Sequence, residues 1–128
     1  MHLLGLATQL RTTDMEASIG FYTGMLGFRL DFRFGDFYAG LSQGPWQLHL
    51  KRVDAPDPSI AFVAAGEHLH LHIQVADADA AAAELAARGA VLASPPTDKP
   101  WGMREFTLRD DQGHTLYFAS DIPKATTA

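Results

Sequence analysis

The sequence contains no cysteine, which removes disulfide frameworks, thiolate zinc sites and thiol nucleophiles in one step. No window approaches the roughly 18 uninterrupted apolar residues that a membrane-spanning helix needs. The opening residues, MHLLGLATQL, carry no basic segment ahead of a long apolar core, so a cytoplasmic protein with no membrane partner is the expectation. Positive charge is also scarce: 10 Lys and Arg stand against 15 Asp and Glu, a formal charge of -5. Phosphate binding relies on clustered Lys and Arg, so a nucleic-acid partner is not expected, and a neutral or cationic small molecule is. Neither a phosphate-binding glycine loop nor a GxSxG elbow is present, which excludes two further reaction classes. What remains is one globular domain, since 128 residues with 47% hydrophobic content can bury a core.

The most conspicuous run is HLHLHIQV, which places histidines at 68, 70 and 72. Side chains alternate along a strand, so His68, His70 and His72 share one side while Leu69, Leu71, Ile73 and Val75 share the other. A metal needs a third ligand beside such a pair, and the rest of the chain must supply it.

The pattern along the chain repeats. LLGLATQL at 3–10 reads as a strand; Asp14 then caps a helix through MEASIGFYTGML, which Gly27 ends. FRLDFRF, DFYAGL and WQLHLKRV follow as strands;. DAPDPS at 54–59 reads as a linker or crossover. The order then recurs: a strand at HLHLHIQV, a helix from Asp77 to Gly89, and strands at AVLA, MREFTLR and HTLYFAS. Thirteen residues separate Asp14 from Gly27 and twelve separate Asp77 from Gly89, as expected of an internal duplication. The boundaries are module 1 at about 1–53, a linker at about 54–66, module 2 at about 67–122 and a tail at 123–128, within a single domain.

Counting back seven residues from each cap gives Ala7 and His70, and stepping one past Leu48 and Leu116 gives His49 and Tyr117. These are four equivalent strand positions. Their parity places Gln9, Tyr38, Gln47, His49, Lys51, His68, His70, His72, Glu105, Thr107, Arg109, Thr115 and Tyr117 on a polar side. Leu6, Leu10, Leu48, Leu50, Leu71, Ile73, Phe106, Leu108, Leu116 and Phe118 fall on the side that helices cover. His114, in the DDQGH turn, reads as a surface residue.

FYTGMLGFRLDF, followed late in the chain by PWGMREFTLRDDQGHTLYF, resembles the vicinal oxygen chelate superfamily of glyoxalases, bleomycin-resistance proteins and extradiol dioxygenases. The resemblance runs from about Leu3 to Ser120. It implies an α+β fold in which two βαβββ modules form a cupped, mostly antiparallel mixed sheet with helices on the outer face, a ligand or metal inside, and in many members a homodimer. Metal-dependent relatives place His, Glu and Gln at the four equivalent positions. Here only His49 and His70 match; Ala7 has no donor atom, and Tyr117 replaces a carboxylate. His72 and Gln9 are each displaced by about 6–7 Å along their strands. No cofactor is therefore expected, the alternative being a divalent Zn, Ni, Mn or Fe held by His49 and His70.

The PWG, REF and RDDQG elements are most similar to the metal-free bleomycin-resistance branch. That branch binds its drug stoichiometrically, a task suited to flat aromatic rings. The resemblance implies a non-catalytic binder, sequestering an antibiotic or a planar aromatic ligand in a dimer cavity, with Trp101, Tyr38, His49, His70, His72, Glu105 and Tyr117 as ligand-binding residues. Trp46 and Phe37 read equally as ring surfaces or as core. Glu105 either pairs with Arg104 to fix its loop or faces a cationic ligand. The alternative function is a glyoxalase-like lyase or isomerase, or a ring-cleaving dioxygenase, with a metal acting as Lewis acid.

Overall fold

The computed structural model describes residues 1–66 and 70–122; His68 and the tail at 123–128 lie outside the described residues. The elements are β1 (Ala7–Thr12), α1 (Met15–Gly20) continuing into a π-helical turn (Phe21–Met25), β2 (Arg29–Phe34), β3 (Tyr38–Gln43), β4 (Trp46–Arg52), α2 (Ser59–Ala64), β5 (Leu71–Gln74), α3 (Ala78–Ala87), β6 (Leu92–Asp98), β7 (Met103–Arg109) and β8 (Thr115–Asp121). The α+β class and the repeated strand-helix-three-strand order are both present. Helix α2 lies inside the stretch expected to be a linker. Among the described residues no helix is long and apolar enough to cross a membrane.

Chain contacts define two compact units, Met1–Ala61 with Asp110–Gly113, and Phe62–Arg109 with His114–Ala128. In the first, the sheet order is β1-β4-β3-β2, with β1 parallel to β4 and the other pairs antiparallel. Strand alternation turns Leu10, Leu41, Leu48 and Leu50 to one face, where they are buried with Met15, Ile19 and Tyr22 of the helical segment. Each such burial contributes about 1.5–3 kcal/mol. Asp14 accepts from Ala17 N at 3.1 Å, satisfying one of the unpaired amides of the first turn. The helix widens where Thr23 Oγ1 donates to the Ile19 carbonyl at 2.7 Å, competing with the backbone for that acceptor.

The segment Asp110–Gly113 belongs to this first unit through its side chains. Tyr22 Oη donates to Asp110 at 2.7 Å, Ser18 Oγ to Asp111 at 2.7 Å, and Thr13 N and Oγ1 both donate to Gln112 Oε1 at 2.9 Å. The turn expected from DDQGH thus also anchors residues about ninety positions earlier in sequence.

The second unit repeats the plan, with order β5-β8-β7-β6 and β5 parallel to β8. Phe106 and Phe118 are cross-strand partners with stacked rings 4.8 Å apart, over Ala78, Ala82 and Leu85 of α3. Asp77 caps α3 through Ala80 N at 3.1 Å. Gly27 and Gly89, the expected helix ends, have φ of 75° and 95°, a region that side chains with a Cβ disfavour.

Four expectations change. Leu6 is exposed, because β1 begins only at Ala7 and alternation does not reach it. Leu71 and Ile73 are half-buried, whereas Leu10, Leu48, Leu50, Leu108 and Leu116 are buried. His114 is 1% exposed, a buried residue and not a surface one, because its ring packs edge-on against His70 at 4.6 Å. Trp46 is 71% exposed, and Phe37 is exposed as well, which removes the core reading for both.

Candidate functional site

In the first unit the pairing register, not the sequence count, decides which polar residues meet. His49 is the direct strand partner of Gln9 on one side and of Gly40 on the other. Ala7 pairs with Gln47 instead. Tyr38 sits two residues from Gly40 on the same face, and its Oη lies 2.9 Å from His49 Nδ1. Gln9 Nε2 donates to the same phenol oxygen at 3.1 Å. The three side chains form one chain of hydrogen bonds, Gln9 to Tyr38 to His49.

Phe32 completes this face. It pairs with Gly40 across a register shift in β2, and its ring lies where a Cβ on residue 40 would be, with the built Cβ 2.0 Å from Phe32 Cε1. A strand glycine of this kind marks close approach of another group. The Phe32 ring stacks with Tyr38 at 6.3 Å and meets His49 edge-on at 5.5 Å. Beside them is an open hollow of about 160 Å3 lined by Asp31, Phe32, Gly40, Leu41, Gln47 and His49. Hydrogen bonds from Ser42 and then Arg29 hold the Asp31 carboxyl below its ordinary range, so it carries its charge at neutral pH.

In the second unit the partner of Tyr117 is His72, one strand period beyond His70. His72 is exposed and Tyr117 half-buried. His70 precedes β5, and its Nδ1 accepts the Thr115 backbone N–H at 3.1 Å. Trp101 is 67% exposed, yet its indole N–H donates to Glu105 at 2.6 Å. Glu105 is 8% exposed, so this charge-assisted bond accounts for an otherwise costly buried carboxylate. The Arg104–Glu105 pairing is replaced: Arg104 bonds Asp79 at 3.1 Å and Asp98 at 2.9 Å.

The resemblance implies a metal, whose ligands these donors would have to be. A ligating imidazole offers one nitrogen lone pair to the metal while its other N–H donates to the protein. His70 is arranged the opposite way: its Nδ1 lone pair takes an N–H, so the neutral ring carries its hydrogen on Nε2. Ala7 supplies nothing, and among the described residues no three His, Asp or Glu side chains form a ligand cluster. The residues present do not fit a divalent-metal centre.

Asp31, Phe32 and Gly40 belong to the site but carry no motif. Of these three, Gly40 gives a signal, as a glycine within a strand pattern, and it points to Phe32 only once register is known.

The comparisons with known proteins agree with this architecture. A search of curated proteins found no match. Among solved structures, the chain is 27% identical to a bleomycin-binding protein from Streptomyces verticillus, crystallised with copper(II)-bleomycin, at a TM-score of 0.71 over 95% of this chain and 99% of that one. It is 26% identical to TioX from Micromonospora sp. ML1, at a TM-score of 0.72 over 92% and 98% of the two chains. A glyoxalase-related enzyme from Clostridium phytofermentans, 18% identical with a TM-score of 0.77 over 95% and 98%, shares the fold. The family model of the Glyoxalase/Bleomycin resistance protein/Dioxygenase superfamily matches residues 2–118. With two βαβββ units in place and that match spanning nearly its whole length, the chain belongs to the Glyoxalase/Bleomycin resistance protein/Dioxygenase superfamily.

Proposed function

We propose that this chain is a non-catalytic small-molecule binding protein that sequesters a planar aromatic ligand, such as an antibiotic of the bleomycin type. The observation that carries this reading is the state of the two histidines. His70 Nδ1 accepts a backbone N–H, and among the described residues no third His, Asp or Glu joins His49, which suits ligand contact better than metal ligation. Exposed rings at Phe32, Phe37, Trp46 and Trp101 supply stacking area at little entropic cost. The similarity to a protein crystallised with a bleomycin complex supports the same class of ligand.

Titration with metal-free bleomycin is expected to change tryptophan fluorescence and saturate. Trp101→Ala is expected to weaken binding by about 1–3 kcal/mol, the scale of an aromatic anchor. Trp46→Ala, at a side chain that packs on little, is expected to shift unfolding by less than about 0.5 kcal/mol. Equal affinity in Trp101→Ala and the parent would remove Trp101 from the site.

Purified without an affinity tag, the protein is expected to hold no stoichiometric Zn, Ni, Mn or Fe and to keep its fold under chelation. One equivalent of metal per chain, lost on His49→Ala or His70→Ala, would replace the binder with a metal-dependent enzyme. Assembly is the remaining part of the proposal. Leu30, Phe32 and Phe34 of β2 are exposed together on a strand with an open edge, a combination that proteins usually cover. A two-fold homodimer is therefore expected, and light scattering at micromolar concentration giving the mass of one chain would contradict it.

A further inference from the structure

The hydrogen-bond chain that ends on His49 sets the polarity of the hollow beside it. Gln9 meets Tyr38 through Nε2, a nitrogen that can only donate, so the phenol oxygen accepts. Tyr38 has one hydrogen left to give, and its other neighbour is His49 Nδ1 at 2.9 Å. When Nδ1 accepts, a neutral imidazole carries its hydrogen on Nε2. Every donor and acceptor of the chain is then used once. The reverse assignment makes the phenol oxygen accept twice and turns its hydrogen away from both partners. Gln9 and Tyr38 are thus positioning residues, and His49 is left as a donor.

One carboxylate lines the hollow. Asp31 lines it together with His49 and Gln47, and its hydrogen bonds from Ser42 and Arg29 keep it ionised. A ligand anion there meets a like charge, whereas a ligand N–H meets an acceptor. Phe32, seated on Gly40 and edge-on to His49, makes one wall a flat aromatic surface.

We infer that this hollow is a subsite for a planar carboxamide or lactam, with the carbonyl oxygen accepting from His49 Nε2–H, the amide N–H donating to Asp31, and the flat group packed against Phe32. This rests on reading the face as a ligand-binding one, and it specifies what chemistry the face selects.

Long-range proton–nitrogen NMR at alkaline pH on the ligand-free protein reads the His49 tautomer directly. The expected result is hydrogen on Nε2, with Tyr38→Phe converting the signal to a mixture while the other amide resonances keep their positions. Benzamide, the probe for the subsite, is expected to shift the His49 resonances, and benzoate, of the same shape but anionic, is expected to leave them in place. Benzamide binding is expected to fall roughly three- to tenfold in Tyr38→Phe, the scale of one neutral hydrogen bond. Hydrogen on Nδ1 in the ligand-free protein, no response to benzamide, or an equal response to benzoate would each overturn the inference. The tautomer needs no ligand, so a failed bleomycin titration is distinguishable from a failed polarity assignment.

Discussion

Tyr22→Ala is expected to bring the protein to the edge of unfolding. The side chain is fully buried, touches Phe21 and Phe28 edge-on with ring centroids at 5.2 and 6.0 Å, and donates to the buried Asp110 at 2.7 Å. Losing a large buried ring costs about 3–5 kcal/mol, against a total stability of about 5–15 kcal/mol for a domain. Tyr22→Phe separates the hydrogen bond from the packing: it keeps the ring and removes one donor from Asp110, a loss of about 1–3 kcal/mol. Urea unfolding of the three proteins checks both figures. A Tyr22→Phe variant as stable as the parent would mean the bond to Asp110 contributes nothing net.

The same residue carries a pH signature. Burial first, and the charge and hydrogen bond of Asp110 after it, push the Tyr22 phenol well above its ordinary value. In the unfolded chain that phenol ionises near pH 10. Above this point the folded state binds one more proton than the unfolded state, so stability falls as pH rises; below it the contribution is intact. The difference in urea midpoint between about pH 8 and about pH 11 is expected to be smaller in Tyr22→Phe than in the parent. An unchanged difference would assign the alkaline loss to other groups.

The second large effect is expected at Gly40, and there it falls on ligand binding more than on stability. A Cβ at residue 40 would stand 2.0 Å from Cε1 and 2.5 Å from Cζ of Phe32, where carbon contacts need about 3.5 Å or more. Gly40→Ala therefore expels the ring. Phe32 is 49% exposed and can swing outward, so the cost is the lost stacking on Tyr38 and His49, about 1–3 kcal/mol. The hollow loses its aromatic wall with it, and bleomycin binding is expected to weaken by at least about tenfold. Because Phe32→Ala removes the same contacts, the double variant is expected to be less destabilised than the two single losses added together. Additive losses would show that Gly40 and Phe32 do not act as one unit.

Much of the architecture is local in origin and was legible for that reason. Asp14 and Asp77 cap their helices, and Gly27 and Gly89 end them, because capping depends on a few neighbouring residues. MREFTLR forms β7 at its expected limits because turn signals bound it on both sides. The candidate site was legible in part: parity turned Gln9, Tyr38, Gln47 and His49 to one face, and all four meet there or line the hollow. His72 pairs with Tyr117, while His70 does not enter the strand that period two assigns to it.

The sequence by itself determined the repeated strand-helix-three-strand order, the two helix caps and the alternation of buried and polar faces, since each depends on residues close together along the chain. Only the tertiary structure decided that Gln9 and not Ala7 stands beside His49, that Phe32 fills the space over Gly40, that Asp110 receives Tyr22, and that His114 is buried against His70. Those outcomes depend on strand register and on contacts between residues up to about ninety positions apart. A shift of one residue in register would send every side chain of a strand to the other face, and periodicity alone does not carry that register.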